Sequence, residues 1–165
     1  TTYDEFKAAC KKFIDAGIKP IATSVKDTWV LAMLHDGLTL KSAGASKVTE
    51  ALSDRSASYN DADFIKSATC IKELKDMGAF IDGATGLTND EASAEFYAEK
   101  CPMYFTGSWM GGSIVTDADH PENFSVAPIP VVNSNNAAIT DFMGGGSDSA
   151  DLIRAFQALE FGVQA

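Results

Sequence analysis

The chain has 165 residues, 45% of them hydrophobic and 22% charged, a balance that fits one globular domain able to bury a core without a metal or a disulfide. Its 13 Lys and Arg against 23 Asp and Glu give a net charge of −10. That charge excludes nucleic acid and anionic membrane surfaces as expected partners, because both recruit basic patches. No run of 18 apolar residues occurs, so no membrane-spanning helix is expected.

The chain opens without Met on Thr1-Thr2-Tyr3-Asp4-Glu5, which reads as a piece of something longer. Thr2 and Glu5 have the spacing of a capping box, and Phe6, Cys10, Phe13 and Ile14 follow on one helical stripe. Gly17 suits the left-handed position after that helix. Ile18 to Ser24 reads as a short strand, and Thr28 to Asp36 as a helix ending before Gly37. From Gly37 to Ser58 the chain is rich in Ser, Ala, Gly and Thr, with a short helix over Lys47 to Leu52.

Asn60 is expected to cap a helix from Asp61 to Met77, with Phe64, Ile65, Ala68, Ile71 and Leu74 on one face and Gly78 as its stop. Gly83 to Gly86 reads as a loop. Thr88 and Glu91 form a second capping box, opening an Ala-rich helix to about Lys100 that carries Ala92, Phe96 and Tyr97. Pro102 to Thr106 reads as a buried strand, and Gly107-Ser108-Trp109 turns from it into a further helical segment. Phe124 to Pro128 and Ala138 to Phe142 read as strands, Gly144 to Ser149 as a Gly-rich run, and Asp151 to Phe161 as a helix. Helices alternating with short strands predict an α/β fold.

The catalytic inventory is thin. His35 and His120 are the two histidines, and neither stands in a catalytic motif. Gly144-Gly145-Gly146 lacks the spacing of a dinucleotide fingerprint. Asp117, Asp119 and His120 lie close in sequence but lack the glycine turn and terminal Glu of a calcium loop. Cys10, Cys70 and Cys101 are too dispersed for zinc and read as buried thiols. Asn123-Phe124-Ser125 matches the N-glycosylation triplet, a pattern that arises often by chance. No metal and no cofactor is expected.

Trp29 and Trp109 are the two tryptophans, and each falls where a loop gives way to a helix. In an α/β sheet ligands collect outside the carboxyl ends of strands, where both residues are expected. Each could be a flat platform at that mouth or a packed core residue, and position alone leaves both readings open.

Several ordered segments resemble one family, the extracellular solute-binding proteins of family 1. These are TTYDEFKAACKKFIDAGIKPIA, KDTW, FIKSATCIKELKDMGAFIDGA, NDEASAEFYAEKCPMYFTGSWMGGSI, FSVAPIPV and FMGGGSDS. The Ala-rich helix running into PMYFTGSW is the most specific of them. The resemblance implies the carbohydrate-binding subunit of an ABC importer, working with membrane permease subunits and without catalysis. It implies one lobe, the second, of a two-lobed type II periplasmic-binding-protein-like fold over residues 1–148. A secretion signal and a lipid-anchoring cysteine would lie upstream of Thr1, making the parent an extracellular or periplasmic lipoprotein; Cys10, inside a helix, is not that anchor.

By the same resemblance Trp109 matches the aromatic that stacks on a sugar ring, and Trp29 a second cleft-lining position. Asp27 matches an acceptor of sugar hydroxyl hydrogen bonds. Gly144 and Gly145 match small residues that admit ligand to the backbone where the chain crosses between lobes. Residues 149–165 depart from the family's pattern: a helix stands where a hydrophobic strand would cross, as after natural variation, a deletion junction near Ala150, or missing residues. Two other functional classes stand beside this reading. A carbohydrate-active enzyme needs two facing carboxylates about 5–10 Å apart, for which Asp27 and Asp141 are the candidates. An interaction module would dimerise through an exposed hinge surface.

Overall fold

The computed structural model of the chain describes residues 1–53 and 55–136. Among the described residues six helices surround a small parallel sheet: α1 (Tyr3–Asp15), β1 (Ile21–Ala22), α2 (Thr28–Ala43), α3 (Ala45–Ser53), α4 (Ala62–Asp76), α5 (Asn89–Tyr97), β2 (Met103–Tyr104) and α6 (Met110–Asp117). Short 3-10 turns follow at Pro121–Asn123 and Ser134–Asn136. β1 pairs with β2 in parallel, Ile21 opposite Met103 and Ala22 opposite Tyr104. On its other side Ile21 bridges Phe80, and its N–H and C=O bond Ala79 and Ile81. Three parallel segments therefore end on the same side, each followed by a loop.

Local chemistry starts and stops these helices as the residue types dictate. In both capping boxes the threonine hydroxyl accepts the glutamate N–H, and the glutamate carboxylate accepts the threonine N–H at 2.7 Å. Gly17 and Gly78 take φ of +79° and +77° just past α1 and α4, where a Cβ would be strained. The main core gathers Tyr3, Phe6 and Cys10 of α1, Ile21 of β1, Leu34 and Leu38 of α2, and Cys70 and Leu74 of α4. The buried Tyr3 hydroxyl donates to Cys70 O at 2.8 Å, tying α1 to α4. All three cysteines are buried and free. Burial pushes the Cys10 thiol up to about 11 and the Cys101 thiol up to about 12, so both are protonated and inert at neutral pH.

The structure corrects several expectations. α2 does not end before Gly37 but runs on to Ala43. A Cβ at Gly37 would stand 2.0 Å from Ile129 Cδ1, so the glycine is a close-approach site rather than a stop. α3 extends either side of the expected 47–52 helix. The α4 cap is Asp61, not Asn60, because Asp61 Oδ1 accepts the Asp63 N–H at 3.0 Å. Ile65 and Ala68 point outward, while Ser67 and Cys70 share the buried face with Phe64 and Leu74. Ser67 is tolerated inside because its hydroxyl bonds Phe64 O and the Thr39 hydroxyl. β2 is half-buried rather than buried. Phe124 to Pro128 is not a strand: it pairs with no neighbour among the described residues and anchors through Phe124, whose ring meets Phe96 edge-on at 4.9 Å. The predicted elements at 138–142 and 151–161 lie outside the described residues.

Two measurements test this packing. Gly→Ala within a helix ordinarily gains about 0.5–1 kcal/mol, but overpacking costs about 1–3 kcal/mol. Gly37→Ala should therefore lower the unfolding free energy by a net of about 1 kcal/mol, read as a lower urea midpoint at unchanged m-value; a raised midpoint would mean that Ile129 swings aside. The second concerns acid. Glu5 and Glu91 are held below the ordinary glutamate value of 4.5, chiefly by the backbone N–H groups of Thr2 and Thr88. A carboxyl depressed in the folded state stabilises above that value and loses its contribution as pH falls through the folded value. Melting temperature should fall below about pH 4.5, and Glu91→Gln, which keeps an acceptor that does not titrate, should show a shallower fall.

Candidate functional site

The site is assembled by the loops that leave the carboxyl ends of β1 and β2. Trp29 is the second residue of α2, and Trp109 is the N-cap residue of α6. Trp29 is 44% and Trp109 56% exposed, so neither is a core residue. Their rings meet in a tilted, edge-on arrangement with centroids 6.1 Å apart and planes at 60°, within the range favoured by aromatic quadrupoles. The two tryptophans, 80 positions apart in sequence, thus form one continuous aromatic surface.

The backbone under Trp109 explains its placement. A Cβ on Gly107 would lie 2.0 Å from Trp109 Cζ3 and 2.3 Å from Cη2, so the indole folds back over bare glycine backbone. Behind it, Met110, Ile114 and Ala118 bury one face of α6 against Phe96, Tyr97, Tyr104 and Phe124.

Asp27 holds the loop that precedes Trp29. It is the N-cap residue of α2, yet its side chain does not cap that helix. Asp27 Oδ2 instead accepts the N–H of Asn89, the first residue of α5, at 2.6 Å. This satisfies one of the unpaired donors at a helix start and puts a carboxylate against the positive end of its dipole. Asn89 Oδ1 then accepts the Tyr104 hydroxyl at 2.6 Å. Burial, first among several causes, raises the Tyr104 phenol, which therefore remains a donor at neutral pH. Ser24 closes the frame, its hydroxyl donating to Leu87 O at 2.7 Å and accepting the Asp27 N–H at 2.9 Å.

The structure thus brings Trp29, Trp109 and Asp27 to one mouth, while Gly144 and Gly145 lie outside the described residues. It adds Asn89, Tyr104 and Gly107 as the groups that fix them. The capping box at Thr88 marks Asn89 as the start of a helix, but nothing local marks its bond to Asp27, 62 residues away. Among the described residues no three His, Cys, Asp or Glu side chains gather as for a metal. Asp117, Asp119 and His120 do not converge; His120 Nδ1 lies 3.5 Å from Glu122.

The model of the bacterial extracellular solute-binding protein family matches residues 1–161. The chain belongs to that family. No curated protein sequence matches it. Among solved structures, one from work on xylan utilisation by the thermophilic bacterium Caldanaerobius polysaccharolyticus is 34% identical with a TM-score of 0.68, aligning 72% of this chain with 30% of that one. A chitin oligosaccharide binding protein is 26% identical with a TM-score of 0.77, over 82% of this chain and 34% of that one. The bacterial solute receptor AcbH, whose preference is for β-D-galactopyranose, is 19% identical with a TM-score of 0.72, over 99% of this chain and 48% of that one. At that identity AcbH speaks for the fold alone. The chain spans less than half the length of each of the three. Its helix-rich α/β architecture is that of one lobe of a two-lobed solute-binding protein.

The glycine beneath Trp109 gives a direct test of how that ring is seated. Gly107→Ala should shift the Trp109 indole N–H resonance well beyond that of Trp29 and leave the melting temperature nearly unchanged, because a half-exposed ring can swing outward. An unmoved indole resonance would show that the backbone, not the ring, yields.

Proposed function

We propose that this chain supplies one wall of an interlobe sugar cleft in the substrate-binding component of an ABC importer, binding a mono- or oligosaccharide without chemical turnover. The observation that carries this reading is the pair of exposed tryptophans in contact at the carboxyl ends of β1 and β2. A sugar ring has apolar C–H faces and a polar hydroxyl rim, which suit an aromatic surface edged by hydrogen-bond acceptors. In this reading Trp109 and Trp29 stack on the sugar. Asp27 accepts a sugar hydroxyl through Oδ1, since Oδ2 is committed to Asn89. Gly144 and Gly145 let ligand reach the backbone at the crossing between lobes. Family membership and two sugar-related structural neighbours support it.

Residues 1–148 are proposed as the second lobe and 149–165 as a C-terminal helix. The full-length parent is proposed to be a lipoprotein outside the cell that delivers its ligand to membrane permease subunits, in keeping with the extracellular description of the family.

Magnitudes set what this chain achieves alone. Each tryptophan exposes about half its surface, so covering it with sugar contributes roughly 2–3 kcal/mol gross. Hydrogen bonds to a carboxylate add about 1.5–3 kcal/mol, and association costs at least about 4 kcal/mol. The balance is near the −4 kcal/mol of a millimolar complex.

Saturation-transfer NMR, which detects millimolar binding, should show transfer to sugar C–H protons from a saccharide pool. Trp109→Ala should abolish it while the melting temperature stays within a few degrees. Unfolding of that variant would return Trp109 to a structural role, and micromolar affinity in this chain would overturn the half-cleft.

A further inference from the structure

Beside Trp109 lies a second concavity. α5 and α6 enclose a shallow cleft of about 240 Å³, lined by Asp90, Ser93 and Tyr97 on one side and by Ser113 and Asp117 on the other, with the Trp109 indole as an end wall. Trp29 does not line it. Trp109 is therefore shared: it meets Trp29 edge-on at 6.1 Å and also closes this cleft. The volume falls below the ~300–1,000 Å³ of sites that enclose a drug-sized ligand and suits a single sugar ring.

The lining is rich in acceptors. Asp90 Oδ1 takes the Asn89 side-chain amide and Asp117 Oδ1 takes the Thr116 hydroxyl, which leaves the second oxygen of each carboxylate to face a ligand. The Ser93 hydroxyl donates to Asn89 O and the Tyr97 hydroxyl to Met110 Sδ, and Ser113 and Ser93 lie within hydrogen-bond reach of the Tyr97 hydroxyl, so the open acceptors of the wall are the two carboxylates. No Lys or Arg lines the cleft. Such a wall complements hydroxyl donors and repels carboxylates, in a chain whose net charge is already −10.

We propose that the α5–α6 cleft is a second sugar subsite, so that the ligand is a neutral oligosaccharide of at least two linked rings, with uronates excluded. One ring lies on the Trp29–Trp109 surface and the next enters the cleft past Trp109. This rests on the carbohydrate reading above and narrows it.

The test is saturation-transfer NMR on this chain with matched pairs: xylose and xylobiose, glucose and cellobiose, N-acetylglucosamine and its β-1,4 disaccharide, galacturonate and digalacturonate. At least one neutral disaccharide should saturate on both rings and bind tenfold or more tightly than its monosaccharide, while digalacturonate stays silent. Ser113→Phe, which fills the cleft, should bring the disaccharide to the monosaccharide level. Should that variant fail to fold, the Asp90→Ala/Asp117→Ala double variant, altered at two exposed positions, should reduce the disaccharide advantage at least threefold. Equal binding of monosaccharide and disaccharide overturns the subsite and leaves the carbohydrate reading standing. So does an advantage that survives the variants, or binding of digalacturonate as tight as that of neutral sugars. Silence from every sugar overturns both.

Discussion

The bond from Asn89 N–H to the Asp27 carboxylate is the constraint on which the exposed tryptophan pair depends. It joins the loop after β1 to the first turn of α5, and through the Asn89 side chain it reaches the hydroxyl of Tyr104 at the end of β2. These are the two strands whose following loops carry the tryptophans. Ser24, bonded to both Leu87 and Asp27, braces the same corner from beneath. The two aromatic rings are therefore positioned by a polar frame rather than by their mutual contact, which at an exposed edge contributes about 1 kcal/mol. A carboxylate that caps a neighbouring helix gives up one oxygen to structure, as Asp27 does with Oδ2.

Surrounding elements make that frame possible. Parallel pairing of β1 with β2 and with Phe80 sends the loop that follows each of them to one side of the sheet. The hydrophobic cluster of α1, α2 and α4 supports β1 from one direction. A smaller one, with Ala22, Ile81, Ala92 and Cys101, packs α5 over the same strand. At the chain's start, Thr2 bridges Val131 in parallel, so residues remote in sequence run side by side at one edge. Packing of this kind leaves little room for side chains at Gly37 and Gly107. Each is occupied by a neighbour's bulk, Ile129 in one case and the Trp109 indole in the other.

What could be read from sequence follows from the range of the forces concerned. Capping boxes at Thr2 and Thr88 and left-handed glycines at 17 and 78 are decided within a few residues, and all four stand as expected. The helix expected over 28–36 runs on through Gly37, and the approach of Ile129 to that glycine, from more than ninety residues away, leaves no local mark. Asn60 and Asp61 are both good caps, and the choice turns on backbone geometry that residue type does not reveal. The extended run at 124–128 has strand-forming residues but no partner among the described residues, and pairing is a tertiary event. The positions of Trp29 and Trp109 at loop–helix junctions were legible. Their exposure was not, because it depends on what the remaining fold leaves uncovered. The Asp27–Asn89 link was hidden for the same reason.

The pairing of Trp29 with Trp109 also has an optical consequence. The protein has two tryptophans in all, and both stand at the same solvent-facing mouth with ring centres 6.1 Å apart. Excited at the red edge of the indole band, where its four tyrosines do not absorb, it emits from this one place, with no indole in the core to add a constant background. At that separation the two chromophores couple, so their circular dichroism in the near ultraviolet depends on the 60° between their planes. The molecule carries its own label at the mouth, and any molecule that slides over either ring changes its colour and intensity without a dye.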